Sequence, residues 1–180
     1  MQTFKQRTIH CNGKEQDNLC VDMQISDLAI SKAQLFATVN IEKEVGGFFI
    51  GPQPVKQKNG RYLTIITDVL LAKHTESGRL EVKFTHETWR HFQDERMEMY
   101  PSLATSGWFH THIDIGVFYS GYDKSLHEGF FDLPFMIGLV LDPVRKEMDF
   151  FVWDFAHRIH KIGFSQPNWV KENWSSNEYR

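Results

Sequence analysis

The pattern of hydrophobic and polar positions predicts a chain in which strands alternate with helices. Near the start, Val21, Met23 and Ile25 alternate with polar residues, as in a strand that is buried on one face. Ser26 follows at the position of a helix N-cap, so we predict that a helix begins there. The apolar positions on one side of that helix are Leu28, Leu35, Phe36 and Val39. We expect this stripe to be the buried face of the helix.

The remaining apolar segments predict further strands and helices. Strands are predicted at 46–51 (GGFFIG), 61–72, 103–112, 135–142 and 148–154. Helices are predicted at 85–100, from Ser120 to residue 131, and over the polar tail at 167–180. Pro143 is placed to begin the turn that joins the last two strands. This order predicts the α/β class, with α+β as the alternative, and the lack of repeats or linkers predicts one domain over residues 1–180.

Composition and charge narrow the functional classes. Of the 180 residues, 41% are hydrophobic and 24% are charged, which is typical of a globular protein. The formal net charge of −3 provides no basic surface, so we expect no nucleic acid partner, and no segment has the apolar length that predicts a membrane span. The 15 phenylalanines predict a dense aromatic core and an exposed apolar surface for a partner. Cys11 and Cys20 match no zinc or redox spacing and the N-terminus has no signal-peptide pattern, so we expect reduced thiols in a cytoplasmic protein.

His110 and His112 are the first candidates for a chemical role. They occupy positions i and i+2 of the predicted strand 103–112, so both side chains leave the same face. Two imidazoles on one face can share a metal ion, although most such pairs are polar positions on a solvated face. Asp123, near the start of the next predicted helix, supplies a third candidate ligand. Two histidines and a carboxylate fit the pattern of catalytic zinc sites, in which three protein ligands leave the fourth position to water.

Two neighbouring patterns have alternative interpretations. Ser120 and Asp123 are spaced as in a helix capping box, and this is compatible with metal binding because a capped helix end is a rigid support. The segment HETWRH (86–91) resembles a zinc-binding helix motif, but its second histidine comes one residue late. Five residues rotate a helix by about 140°, so His86 and His91 are predicted to lie on a solvated face.

Glu44 is a candidate general base. Hydrolysis at a metal site needs a group that accepts the proton of water and passes it to the leaving amine. Glu44 directly precedes VGGFFIG, a predicted buried strand that would hold its side chain in place. From spacing alone, Glu44 is most simply the solvated last residue of IEKE, and only a family pattern separates the two interpretations. Asp114, in the loop after the histidines, is the other carboxylate near the motif.

The segments EVGGFFIG and GWFHTHIDIGVFYSGYD together resemble the JAMM motif of the MPN-plus metalloproteases. That motif is an upstream glutamate followed by H-x-H-x7-S-x2-D, and every spacing is intact here. Its positions in this chain are Glu44, His110, His112, Ser120 and Asp123. The resemblance covers about residues 19–155, which makes 156–180 a C-terminal extension. Ile113 stands where the family usually has proline, a change that concerns the geometry of the loop rather than the ligands.

The resemblance implies a fold, a metal ion and a reaction. The implied fold is an MPN domain, with a mixed central β-sheet flanked by helices and a cytidine-deaminase-like core. His110, His112 and Asp123 would bind one catalytic Zn²⁺, Glu44 would move the proton, and Ser120 would donate a hydrogen bond to the developing oxyanion. The implied reaction is that of a deubiquitinase-like isopeptidase, which cuts after the C-terminal glycine of ubiquitin or a ubiquitin-like protein in a lysine conjugate or a precursor.

The resemblance also suggests where a substrate would bind. Related proteins often carry a substrate-clamping insertion in the segment that corresponds to residues 73–84. We assign that role to Glu76, Ser77, Gly78 and Arg79. Trp108 and Phe118, on either side of the histidine pair, are further candidates for contact with the substrate.

Three alternatives stay open at this point. The first alternative is a non-catalytic MPN scaffold. Such scaffolds generally lack one or more zinc ligands, whereas this chain has all of them, but an enzyme that is activated by a protein partner or by homodimerisation fits the same motif. Small prokaryotic relatives process sulfur-carrier proteins or short peptides. A compact enzyme in a bacterial ubiquitin-like conjugation system, including one that serves antiviral defence, is the third.

Overall fold

A computed structural model describes residues 5–9 and 16–177 of the chain, so Cys11 and the last three residues of the predicted tail helix lie outside the described part. The strands are β1 (Gln6–Ile9), β2 (Val21–Ser26), β3 (Gly46–Gly51), β4 (Val55–Lys56), β5 (Tyr62–Ile66), β6 (Asp68–Leu71), β7 (Glu76–Ser77), β8 (Val82–Lys83), β9 (Ala104–Thr111), β10 (Ile137–Asp142), β11 (Glu147–Trp153) and β12 (Ile159–Lys161). The α-helices are α1 (Asp27–Val39), α2 (His86–Met99), α3 (Gly121–Phe130) and α4 (Asn168–Asn177). None of these helices combines the length and the apolar character needed to cross a bilayer.

The strands form two larger sheets and one small hairpin. The central sheet has the order β12-β11-β10-β9-β3-β6, in which β9 and β10 run parallel and the other neighbours run antiparallel. The second sheet has the order β1-β2-β5-β4, and β7 and β8 form the hairpin. The chain is therefore an α/β protein with mixed sheets, as the order of elements predicted. The strands predicted at 46–51 and 103–112 and the helices predicted at 85–100 and from Ser120 are confirmed.

The segment 61–72 is two strands rather than the single strand that its continuous apolar run predicted. β5 pairs with β2 and β4 in the second sheet, whereas β6 pairs with β3 in the central sheet. The break falls at Thr67, whose backbone N–H and side-chain hydroxyl both donate to the carbonyl oxygen of Ile50, at 2.8 and 3.1 Å. The chain thus passes from one sheet to the other where the two sheets approach closely, and both halves stay apolar because both are partly buried.

The buried face of α1 also differs from the predicted stripe. Leu28, Leu35 and Phe36 are only half-buried, and Val39 is 60% exposed. The buried residues are Ala29, Ile30, Ala33, Gln34 and Ala37. Small side chains allow the helix to lie close to the sheet, and this close packing outweighs the size of the larger apolar residues. The amide of Gln34 donates to the carbonyl oxygen of Val170 at 2.9 Å, which ties α1 to α4.

The central sheet has one hydrophobic core on each face. The first contains residues of α1, α4 and the sheet, among them Ala33, Phe109 and Trp174. The second is strongly aromatic, as the composition predicted, and lies under α2 and α3. Its buried members are Phe48, Ile50, Leu70, Phe92, Trp108, Leu126 and Phe131. Because alternate residues of β9 belong to opposite faces, Trp108 and His110 point toward α2 and α3.

Candidate metal centre

The two histidines lie at the carboxyl end of β9. His110 pairs with Gly46 of β3, and His112 follows the strand with its backbone N–H donating to the carbonyl oxygen of Leu141 at 2.9 Å. The two side chains are 0% and 2% exposed, and their Nε2 atoms are 3.2 Å apart. The predicted pairing on one face is therefore correct, and the solvated-face alternative is wrong because both imidazoles are buried.

Asp123 joins the histidines from the first turn of α3. Its Oδ1 lies 3.2 Å from Nε2 of His110, and its Oδ2 lies 3.6 Å from Nε2 of His112. The same carboxylate accepts the backbone N–H of Ser120 at 2.7 Å, and the hydroxyl of Ser120 accepts the backbone N–H of Asp123 at 3.1 Å. The capping box is thus present, and it holds the carboxylate against the two imidazoles.

The spacing of the three donor groups fits a metal ion. Ligand bonds of about 2.0–2.1 Å in a tetrahedral zinc site place the ligand atoms about 3.3–3.4 Å from one another. The two Nε2 atoms are 3.2 Å apart, and the carboxylate of Asp123 faces them with a different oxygen each, Oδ1 at 3.2 Å from His110 and Oδ2 at 3.6 Å from His112. Nδ1 of His112 lies 2.8 Å from the carbonyl oxygen of Gly116, so Nδ1 carries the proton and the lone pair of Nε2 faces His110 and Asp123. Within the described ranges, this is the one group of histidine, cysteine or acidic residues whose donor atoms converge in this way.

Electrostatics favours the metal-binding protonation state at His110 and Asp123. At His112, burial lowers the pKa, but the contact with Asp123 and the hydrogen bond to Gly116 raise it overall, so metal binding there would release a proton. Burial lowers the pKa of His110 and outweighs the influence of Asp123, so this imidazole is neutral. For Asp123, burial alone would raise the pKa, but the contacts with His110 and His112 and the hydrogen bond from Ser120 lower it overall, so the carboxylate is ionised. A neutral imidazole and an ionised carboxylate are the forms that donate to a metal ion. The group can therefore bind a metal ion.

Glu44 lies beside this group because of the β3–β9 register. Gly46 is paired with His110, and Val45 exchanges hydrogen bonds with Thr111, whose hydroxyl accepts the N–H of Val45 at 2.9 Å. Continuing this register places Glu44 opposite His112. Glu44 is 2% exposed, and Oε1 of its carboxyl group has no hydrogen-bond partner among the described residues. Burial raises the pKa of Glu44 to about 7, although His112 acts in the opposite direction.

The predicted substrate segment forms the hairpin β7–β8, which is tied to Glu44. Glu76 and Ser77 are β7, and Gly78 and Arg79 belong to the connection to β8. The carbonyl oxygen of Gly78 accepts the backbone N–H of Glu44 at 2.8 Å. The hairpin therefore lies next to the metal-binding group, and its role in substrate binding stays a prediction.

The two aromatic candidates for substrate contact differ in exposure. Phe118 is 43% exposed, and its ring centroid is 4.7 Å from that of His112, so it lies at the rim of the site. Trp108 is 0% exposed, so the prediction that it contacts a substrate is wrong. Its ring instead stacks on His110, with centroids 4.6 Å apart and an angle of 13° between the planes. Trp108 therefore packs against His110, one of the candidate metal ligands.

His127 is a residue that the motif spacing missed. Its Nδ1 accepts a hydrogen bond from the indole N–H of Trp108 at 3.0 Å and lies 2.9 Å from the hydroxyl oxygen of Tyr119. It lies four residues after Asp123 on α3, so the helical period places both side chains on one face. The four-residue spacing from Asp123 to His127 was the sequence signal that could have identified His127. By contrast, His86 of the rejected HETWRH motif is exposed and takes no part in the site.

The burial of His127 predicts a specific pH dependence of stability. Burial lowers the pKa of His127 to about 3, whereas the unfolded chain takes up this proton near pH 6.5. The contribution to stability is therefore complete above about pH 6.5 and is lost as the pH falls toward 3, by up to ~1.4 kcal/mol per pH unit. Between pH 7.5 and 5.0, the wild type should lose about 2 kcal/mol more of its free energy of unfolding than His127→Asn. Urea titrations with chelator present would measure this, and equal losses in the two proteins would contradict it.

Comparisons with known proteins bear on the fold alone. No family model matches this chain, and no curated protein matches it. Among the matching solved structures is the solution structure of protein DSY2949 from Desulfitobacterium hafniense, with a TM-score of 0.56. The match covers 78% of this chain and 88% of that one, at 12% sequence identity. At this identity the two proteins are shown to share an overall fold and nothing further.

Proposed function

We propose that this protein is a zinc-dependent isopeptidase of the JAMM type, built on an MPN domain with a cytidine-deaminase-like core. The observation that supports it most directly is the convergence of His110, His112 and Asp123 beside the buried carboxyl group of Glu44. Three ligands that leave one position open, with a base next to it, are the parts that metal-assisted hydrolysis of an amide requires.

The donor set favours zinc, because two imidazoles and one carboxylate at tetrahedral spacing match its preferences. Bound by these residues, Zn²⁺ supplies Lewis acidity, which activates water at neutral pH and polarises a carbonyl group. Because all three candidate ligands are buried, bulk water would be kept away from a bound ion, which would strengthen this polarisation.

Glu44 carries the proton in the proposed reaction. A carboxyl group whose pKa is raised to about 7 can accept a proton from water and later release it to the leaving amine near neutral pH. The unpaired Oε1 leaves an acceptor position open for that proton. Ser120 has its hydroxyl oxygen engaged as an acceptor for the N–H of Asp123, so its hydroxyl hydrogen can be donated to the carbonyl oxygen of the substrate as negative charge develops there.

The proposed substrate is ubiquitin or a ubiquitin-like protein, bound through its extended C-terminal tail. Strands β7 and β8 pair with each other and with no further strand of the described chain, so an outer edge can accept an added strand. Phe118 and Tyr122 are 43% and 40% exposed and would flank the tail near the scissile bond. The identity of the modifier rests on the motif, and the hairpin supports an extended polypeptide as the ligand.

Cleavage of a panel of lysine-linked ubiquitin and ubiquitin-like conjugates tests the proposal. We expect the zinc-loaded protein to cut at least one conjugate, to lose this activity when a chelator removes the metal, and to regain it when Zn²⁺ is restored. Ca²⁺ added in place of Zn²⁺ is the control and should restore nothing, because the ligand set suits zinc rather than a hard cation. A protein that binds zinc and cuts nothing in the panel would contradict the isopeptidase assignment and favour a scaffold or a partner-activated subunit.

A further inference from the structure

Asp142 is a buried carboxylate at the carboxyl end of β10, close to the metal-binding group. It is 0% exposed and accepts five backbone N–H groups. The donors are Asp114 at 3.2 Å, Ile115 at 3.0 Å, Gly116 at 2.8 Å, Val144 at 3.2 Å and Arg145 at 3.1 Å. Because β9 and β10 are parallel, their carboxyl ends meet at the same edge of the sheet, which brings Asp142 beside the loop that follows His112. One carboxylate thus organises two separate turns.

Three of these donors belong to the loop immediately after His112. Asp114 and Gly116 have φ values of 58° and 90°, so the loop is sharply turned and needs fixed partners for its exposed backbone groups. Ile113, which stands at the usual proline position, is 4% exposed and anchors the start of the loop by burial instead. The hydrogen bonds to Asp142 therefore determine the conformation of this loop.

The loop in turn orients His112. The carbonyl oxygen of Gly116 accepts the proton on Nδ1 of His112 at 2.8 Å, and the N–H of the same Gly116 is held by Oδ2 of Asp142. A partner on Nδ1 sets both the tautomer and the ring orientation of a metal-binding histidine. On the outer side, Arg145 donates to a side-chain oxygen and to the carbonyl oxygen of Asp114, at 3.2 and 3.1 Å.

We propose that Asp142 is a positioning residue for the metal site, which acts on His112 through the 113–116 loop. This inference rests on the proposed function, because it requires His112 to bind the metal ion. The competing role for Asp142 is to stabilise only the turn between β10 and β11, through Val144 and Arg145. That role predicts a loss of stability but no change in the affinity for the metal.

The test is the affinity for Zn²⁺, with the absorption spectrum of bound Co²⁺ as the spectroscopic readout. In Asp142→Asn an N–H₂ group replaces one acceptor oxygen and opposes backbone donors. We expect roughly 10–100-fold weaker zinc binding and a changed Co²⁺ spectrum in the folded variant. Asp154→Asn is the matched control, because Asp154 is also buried and accepts the backbone N–H groups of Ala156 and Arg158 in a turn remote from the metal site. It should lower thermal stability and leave zinc affinity unchanged.

The outcomes separate this inference from the proposed function. A folded Asp142→Asn that binds zinc as tightly as a zinc-binding wild type overturns the positioning role and leaves the metal site intact. A wild type that binds no zinc overturns both. If Asp142→Asn does not fold, the zinc affinity of Arg145→Gln tests the same role. The side chain of Arg145 is half-exposed, so this change breaks its ion pair with Asp114 in the loop without removing a buried group. Weaker zinc binding by Arg145→Gln supports the role of the loop, and unchanged binding overturns it.

Discussion

Replacement of Glu44 by glutamine is expected to lower the rate of conjugate cleavage by about 10²–10⁴-fold, the usual contribution of general acid–base catalysis. The amide has the shape of the carboxyl group but cannot accept a proton, so water would no longer be activated and the leaving amine would not be protonated. Glu44 is not one of the converging ligands, so zinc affinity should not change. The measurement is kcat/KM on a cleaved conjugate, together with the zinc content of the purified protein.

Glu42→Gln is the matched control for this experiment. Glu42 is an exposed carboxylate two residues before Glu44, so the same chemical change there should leave both rate and zinc content near wild-type values. Because Oε1 of Glu44 is buried without a partner, Glu44→Gln should also be at least as stable as the wild type. A Gln variant with full zinc content and an unreduced rate would remove Glu44 from the proton pathway and leave the metal site untouched.

Replacement of Asp123 by asparagine is expected to weaken zinc binding by at least about a hundredfold and to abolish cleavage. A four-ligand structural zinc site provides about 10–16 kcal/mol, so one ligand contributes on the order of 3 kcal/mol. The side-chain oxygen of asparagine can still accept the N–H of Ser120, so the start of α3 should stay capped. The loss would therefore reflect the ligand rather than the helix, and calorimetric titration with Zn²⁺ would measure it.

Ser120→Ala is expected to have the opposite pattern, with zinc binding kept and turnover lowered. This change removes the hydroxyl that accepts the N–H of Asp123, at a cost of about 1 kcal/mol of stability, but keeps all three ligands. Zinc affinity should therefore stay close to that of the wild type, while turnover should fall by roughly 10²–10³ through the lost oxyanion contact. If Asp123→Asn kept its zinc affinity, the three-ligand site would be refuted. If Ser120→Ala lost zinc and turnover together, Ser120 would act only by holding Asp123.

The candidate metal ligands could be predicted from the sequence because their geometry is local. His110 and His112 share a face through the two-residue period of a strand, and Asp123 is placed by a capping box that begins only three residues earlier. Glu44 is different, because it is 66 residues before His110 and reaches the site through the register of β3 on β9. The family pattern indicated Glu44, but spacing alone favoured a solvated position.

The predictions that were wrong concern which neighbours a segment packs against. The apolar run at 61–72 was read as one strand because continuous hydrophobicity does not record a change of sheet. In α1 the larger apolar residues were assigned to the core, whereas close packing selected the alanine face. Trp108 was assigned to the substrate, although it lies in the aromatic core behind His110.

The sequence by itself determined the local elements, the aromatic character of the core and the three converging ligand types, because strand period and helix capping act over a few residues. Only the tertiary structure decided the burial of Glu44, the packing of Trp108 against Phe84 and Phe131 and the link from Asp142 to His112. Those contacts join strands, loops and a helix that are far apart in the chain. They depend on sheet order and register, which arise from packing between whole elements and leave no periodic signal in the sequence.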